Sequence, residues 1–213
     1  MNESLELLPY DLPDANLLLP NREGGRACVF VPDRVMVVIG KGSDPALELH
    51  NETIVQDGVP VLRRGTGGCA VVLAPNMLVA SFARYETEQG KSADYFRAFN
   101  DMIIRSFESL GISDLAHAGI SDIARNGRKI AGSALYRNRL TVFYHAVINL
   151  ASGASLMERY LKHPPRTPDY RENRSHEEFV TSLAAEGFVI DTDEFTERVQ
   201  SEFHNYLVKA RAA

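Results

Sequence analysis

Asn126-Gly127 stands between two runs with strand character, residues 119–125 and 128–136. Both positions of such a dipeptide tolerate the positive φ that a two-residue hairpin turn demands, so the pair is a strong short-range signal for antiparallel pairing. A third run, residues 140–150, follows a turn expected at Asn138. The middle of the chain is therefore committed to a strand-rich, hairpin-linked block.

The flanking sequence supplies further strands and several helices. Residues 27–32 and 35–39 read as two short strands around the turn Pro32-Asp33-Arg34. Asp44 can cap a helix that Pro45 opens and that runs to about Gln56, with Leu47, Ile54 and Val55 on its buried stripe. Residues 59–62 are a strand, and 69–74 with 77–82 read as a hairpin around Pro75-Asn76. Residues 91–110 form the clearest helix: Tyr95, Phe96, Phe99, Met102, Ile103, Phe107 and Leu110 recur at helical spacing, and Gly111 stops it. This stripe reads as core. A short helix is expected at 156–161, an exposed, proline-rich polar loop at 163–173, and helices at 175–186 and from Thr192 to the end. The opening stretch to about Asn21 carries Pro9, Pro13 and Pro20, which argues against a long helix there. With no repeat, no low-complexity segment and no boundary between cores, residues 1–213 read as a single α+β domain. Its sheet is mixed, mostly antiparallel, and packed with helices.

Composition narrows the function classes. A formal charge of −5 argues against a general nucleic-acid binder. The two cysteines, Cys28 and Cys69, form no Cys-x-x-Cys or Cys/His cluster, which argues against a structural zinc site and a disulfide framework. The acidic start, Met1 to Glu6, lacks signal-peptide character, and no apolar run approaches the ~20 residues of a membrane span. The expectation is a cytoplasmic protein without membrane or nucleic-acid partners.

Two stretches could carry chemistry. Residues 61–72, Val-Leu-Arg-Arg-Gly-Thr-Gly-Gly-Cys-Ala-Val-Val, place two arginines and a small-residue loop between apolar runs. Such a loop can cradle an anion with backbone amides while an arginine neutralises it, or it can be a glycine-rich hairpin with arginines in solvent. Residues 126–134, Asn-Gly-Arg-Lys-Ile-Ala-Gly-Ser-Ala, bring Lys129 onto a strand, where it could meet a phosphate or carboxylate or simply face water.

Together these stretches resemble the lipoate–protein ligase family, within the superfamily that also holds biotin ligases and octanoyltransferases. Arg63-Arg64-Gly65-Thr66-Gly67-Gly68-Cys69-Ala70-Val71 resembles the family's Arg-Arg-x-Ser-Gly-Gly-Gly-Ala-Val. Asn76 followed by Ser81-Phe82 is similar to its next pattern. Ser121-Asp122-Ile123 with Gly127-Arg128-Lys129-Ile130-Ala131-Gly132-Ser133-Ala134 resembles its Asn-Asp-(Leu/Ile) … Gly-Arg-Lys-(Ile/Val)-x-Gly-Ser-Ala. His145-Ala146-Val147-Ile148 is a looser match to His-Gly-Thr-Leu-Leu. The resemblance spans about residues 35–185.

That resemblance implies an enzyme that activates lipoate with ATP and passes the acyl group to a lysine of a lipoyl carrier domain, on a dehydrogenase E2 subunit or a glycine-cleavage H-type protein. It implies Lys129 as the catalytic cation beside phosphate and acyl carbonyl. It implies a nucleotide and acyl site from Arg64, Thr66, Gly67, Gly68, Cys69, Ala70, Val71, Val72, Gly132, Ser133, Ala134, His145 and Ala146, with Asp122 on Mg2+. The chain departs from the family pattern in a shortened opening helix at residues 14–19, in Cys69 and Ala146 replacing glycines, and in having no room for a C-terminal accessory domain. An octanoyltransferase without ATP, and a split-ligase subunit or weakly active binding module that needs an accessory protein, therefore stay open. Biotin is a lesser alternative substrate. Cys69 reads as a small loop residue or, alternatively, as an acyl-carrying thiol. His145 reads as pocket wall or as a satisfied histidine between strands. The other histidines read as surface residues.

Overall fold

The computed structural model describes residues 5–19, 24–86, 90–151 and 154–212. The chain opens with β1 (Leu7–Pro9), a 3-10 turn at Ala15–Leu18, β2 (Gly25–Phe30) and β3 (Met36–Ile39). Helices α1 (Pro45–Glu48) and α2 (Asn51–Gln56) lead to β4 (Val61–Arg63), β5 (Val71–Leu73) and β6 (Met77–Tyr85). Helix α3 (Ser92–Ser109) precedes β7 (Ala116–Ala118), β8 (Asp122–Arg125), β9 (Arg128–Arg137) and β10 (Thr141–Asn149). Helices α4 (Ser155–Tyr160), α5 (His176–Phe179) and α6 (Thr192–Ala212) complete it. Pro20 and Asn21, at the end of the proline-punctuated opening, lie outside the described residues.

The α+β class and the mixed, mostly antiparallel pairing are as expected, but the strands divide between two sheets. One has the order β1-β4-β3-β5, with β1 and β3 parallel to β4. The other, β2-β6-β10-β9-β8-β7, is antiparallel throughout. The hairpin expected around Pro75-Asn76 is thereby corrected, and the two strands expected around Pro32 separate as well. β2 and β3 flank the turn at Pro32 yet join different sheets, and so do β5 and β6, although the Met77 amide closes the Pro75-Asn76 turn on the Ala74 carbonyl at 2.9 Å. Every residue of β3, Met-Val-Val-Ile, is buried, as an inner strand with a core on each face requires. β2 is only half-buried along its length and takes the edge of the larger sheet.

Four layers result. Helices α3 and α6 cover one face of the six-stranded sheet, where Phe82 stacks on Phe99, Tyr144 and Phe203 with centroids 5.1–5.8 Å apart. Its inner face, through Val79 and Val147, meets Met36, Val38, Leu62 and Leu73 of the smaller sheet. Beyond lie Val37, Ile39, Val61 and Val72, packed on Leu49, Ile54, Tyr160 and Leu161.

Three further expectations change. The helix expected over residues 45–56 breaks at Leu49, which bridges to Leu161; Asp44 does cap Ala46 at 2.9 Å, but Leu47 faces solvent and Glu48 turns inward. The helix expected at 175–186 stops at Phe179, because Val180 bridges to Lys129. The 163–173 loop is not wholly exposed: a 3-10 turn at Asp169–Arg171 buries Arg171. Asn126 and Gly127 take φ of +51° and +72°, the backbone that the hairpin signal requires. Among the described residues no helix is long and apolar enough to cross a membrane.

Candidate active site

Strand β9 carries one residue more than its partner. Ile123 pairs with Ala131 but Ala124 pairs with Lys129, which leaves Ile130 as the extra residue of a bulge. Regular alternation would put Lys129 on the face of Ala131; the bulge moves it to the face of Gly132. That face looks toward the smaller sheet, since Gly132 lies between Asp122 and Val147 across the ladder. There the Lys129 Nζ is 2.9 Å from Asp122 Oδ1. A Cβ on Gly132 would come within 2.4 Å of that Nζ, so the position needs glycine. The carboxylate is buried at 5% exposure while the lysine side chain keeps 29%, which leaves the cation one open side. The second Asp122 oxygen accepts a 2.8 Å hydrogen bond from the Tyr170 hydroxyl, and burial followed by the nearby carboxylate raises the Tyr170 pKa.

The arginine–glycine loop packs against the same strand, at Ala134. Arg63 and Arg64 point to opposite faces of the smaller sheet, as strand alternation directs. Arg63 binds the carbonyls of Gly40, Lys41 and Ser43 at 3.0–3.1 Å. Arg64 is buried and clasps its own loop, donating to the Gly67 and Cys69 carbonyls at 3.0–3.1 Å. Its role here is to shape the loop from within. Gly68 has φ +103°; a Cβ there would lie 2.6 Å from Arg64 Nη2 and 3.4 Å from the Ala134 Cβ, which sets the loop directly on β9. Among the described residues the Thr66 Oγ1 is buried without a hydrogen-bond partner and Gly67 opens onto free space. An orphaned hydroxyl beside an open glycine suits a polar ligand approaching the backbone closely. The Ala70 amide is already engaged, donating to Glu48 Oε2 at 2.6 Å.

A row of inner-face residues crosses the larger sheet: Cys28, Ser81, His145 and Ala134 are direct cross-strand partners. Asp14, fully buried, closes over this row. It accepts hydrogen bonds of 2.6 Å from Tyr10 and Ser81 and lies 3.9 Å from His145 Nδ1. Burial raises the Asp14 pKa. Burial first, and then the Arg64 charge, push His145 down to about 3, so its ring is neutral at ordinary pH. Burial also pushes the Cys28 thiol up to about 11. Sequence reasoning placed His145 in the site but missed Asp14, Tyr10 and Ser81; the readable trace was the acid standing where the opening helix is cut short.

Not every expected residue joins the site. Ala146 lies in the core shared with α3, on the far face of the sheet. Ser133 alternates to that far face too and donates to the Ser121 carbonyl at 2.6 Å. Val72 belongs to the outer core, whereas Val71 faces the inter-sheet space. His176, expected at the surface, is buried against Lys162. Among the described residues no three His, Cys, Asp or Glu side chains converge as a metal cluster. Asp122, whose two oxygens already meet Lys129 and Tyr170, could offer at most one carboxylate to an ion that otherwise keeps water and phosphate ligands.

A family model described as the lipoyl protein ligase A/B catalytic domain matches residues 16–204. The chain belongs to that family. This ligase-family chain is 25% identical over 134 residues to lipoate-protein ligase LplJ of Bacillus subtilis, covering 63% of the chain and 40% of that protein. It is 28% identical over 137 residues to lipoate–protein ligase 1 of Staphylococcus aureus, covering 64% and 41%. It thus spans about two fifths of the length of these curated relatives. Among solved structures, a bi-partite lipoate protein ligase of Thermoplasma acidophilum shares the fold with a TM-score of 0.76 at 19% identity, over 96% of this chain and 84% of that one. A lipoate-protein ligase A bound with ATP matches equally, with a TM-score of 0.76, 19% identity and coverage of 96% and 86%.

Proposed function

We infer that the chain is an ATP-dependent lipoate (or octanoate) ligase that forms an acyl-adenylate and transfers the acyl group to a lysine of a lipoyl carrier domain. The observation that carries this is the Lys129 ammonium, held on Asp122 over Gly132, on the strand whose Ala134 packs against a loop with an open Gly67 and a Thr66 hydroxyl that has no hydrogen-bond partner among the described residues. The family and the ATP-bound fold relative support it.

In this reading the acid's carboxylate attacks the α-phosphorus of ATP, an O–P bond forms, and pyrophosphate leaves. Charge builds on the phosphate oxygens during that step, and Lys129 offsets it electrostatically from a partly dry site. Magnesium arriving with the triphosphate would neutralise phosphate charge, with Asp122 as its protein ligand. The carrier lysine's amine then attacks the acyl carbon; a C–N bond forms, AMP leaves, and the amine proton passes to solvent. The acyl chain enters between the sheets beside Ala134 and His145, which contributes no charge because its ring is neutral. No side-chain nucleophile is required.

A second reading is favoured by the bi-partite Thermoplasma relative: the chain is the catalytic partner of a split ligase that works with an accessory protein. Lipoate-dependent ATP–pyrophosphate exchange decides between them. Exchange by the purified chain supports the first reading, and exchange only after an accessory protein is added supports the second. No exchange beside octanoyl transfer from an acyl carrier protein replaces both with an octanoyltransferase. Competition among lipoate, octanoate and biotin ranks the acids.

A further inference from the structure

The geometry points to Tyr170 as a positioning residue for the Lys129–Asp122 pair. Its hydroxyl fixes one carboxylate oxygen so that the other holds the ammonium at a set place on the sheet. The assignment rests on the reading of Lys129 as the cation beside the reacting phosphate. Asp122 accepts from Lys129 at 2.9 Å and the Ser121 hydroxyl at 3.3 Å on Oδ1, and from Tyr170 at 2.8 Å on Oδ2. A carboxylate held through one oxygen rotates about its broad terminal torsion and swings its partner with it; held through both, it cannot rotate without breaking a bond. Lys129 has a long flexible stem that passes over Gly132, so its ammonium is guided by its ion pair with Asp122. Its direction comes from Asp122, and the direction of Asp122 comes from Tyr170.

Tyr170 is itself locked in place. Its ring packs on Phe179 with centroids 5.0 Å apart. Arg174 donates to the Tyr170 carbonyl at 2.6 Å and to the Gly127 carbonyl at 3.1 Å, tying the segment to the β8–β9 turn. Arg171 and Arg174 lie over the Phe179 ring at 5.0 and 5.3 Å. Beyond α5, the Thr181 amide donates to the Lys129 carbonyl at 2.9 Å. Residues 170–181 therefore frame the one lysine from both ends: Tyr170 holds its head group through Asp122, and Thr181 holds its backbone.

Tyr170→Phe removes the hydroxyl and keeps the ring on Phe179. The test compares the full chain with Tyr170→Phe, Asp122→Asn and the double variant. It uses acid-dependent pyrophosphate exchange and calorimetric titration with lipoyl-sulfamoyl-adenosine, a non-reactive acyl-adenylate mimic. Tyr170→Phe is expected to keep its melting temperature and its KM for ATP while kcat falls roughly ten- to a hundredfold, the size of effect seen for supporting hydrogen-bond partners. Losses of mimic affinity should not add, the double variant binding no more weakly than Asp122→Asn alone. Wild-type kcat and affinity in Tyr170→Phe, or fully additive losses, overturn the assignment. If the losses add while Lys129→Ala is inactive, only the assignment falls. A Lys129→Ala chain that binds and exchanges like wild type, or a wild type that binds no mimic, overturns both the assignment and the reading on which it rests.

Discussion

Lys129 faces Asp122 at 2.9 Å because β9 holds one residue more than β8 at Ile130. Without that bulge the lysine would share the face of Ala131, which is packed in the core beneath α3. The irregularity therefore decides whether the cation reaches the inter-sheet side at all. Lys129→Ala is expected to lower acyl transfer by roughly 10²- to 10³-fold, the usual range for removing an electrostatic contact to a developing charge. The pair is part-exposed on the lysine side, so the stability loss should stay near 1–2 kcal/mol. Steady-state transfer and a urea titration check both. Near-normal transfer would sink the role of Lys129.

Cys69 meets the rest of the site through its backbone, its carbonyl accepting from Arg64 Nη2 at 3.0 Å. Alanine keeps that carbonyl. Cys69→Ala should therefore retain transfer to within about threefold, as a substitution outside the strongly coupled set does. No hydroxylamine-sensitive acyl-enzyme should accumulate in the wild type. Complete loss of transfer on Cys69→Ala, together with a trapped thioester, would establish the thiol mechanism instead.

Local signals were legible where one face or one turn dominated. Asn126-Gly127 gave its hairpin, the aromatic stripe gave α3, and the Gly-Arg-Lys stretch put Lys129 on a strand. The division into two sheets was not legible, because turns such as Pro32 and Pro75 read the same whether the chain folds back or crosses over. Ala146 and Ser133 were placed in the site by motif position, while the pleat sends their side chains to the far face. Tyr170 and Asp14 act over long sequence separations, on residues 48 and 67 positions away, and carry no local period. The 163–173 segment looked like solvent-facing loop because its polar side chains are satisfied by partners that only the tertiary fold brings near.

Gly67 and Gly68 are neighbours with opposite constraints, which separates folding from binding. Gly68 sits at φ +103° with Arg64 Nη2 2.6 Å from an added Cβ, so Gly68→Ala should destabilise the fold by about 1–3 kcal/mol. Gly67 has open space around its Cβ direction. Gly67→Ala should leave the urea midpoint near wild type yet weaken binding of the acyl-adenylate mimic by about tenfold or more, since the methyl would occupy the close-approach face. Wild-type affinity in Gly67→Ala would move the ligand away from this loop.

His145 and Asp14 set opposing pH dependences. The folded His145 titrates at about 3, below its unfolded value of about 6.5. Above pH 6.5 the ring is neutral in both states and contributes no slope. As pH falls below 6.5 the unfolded chain takes a proton that the folded chain refuses, so stability is lost progressively toward pH 3, with a slope of up to about 1.4 kcal/mol per pH unit. Asp14 works the other way: its folded pKa is raised, so its contribution is fully present below the unfolded value and declines as pH rises through the folded one. The two oppose each other wherever the pH lies above the unfolded carboxyl value and below both the folded Asp14 value and the unfolded imidazole value. His145→Gln removes the first effect and leaves the second. Its urea midpoint, followed from pH 7.5 down to 4.5, should rise relative to that of the wild type as the pH falls. Parallel acid limbs in the two proteins would mean that the buried ring is not the group being protonated on unfolding.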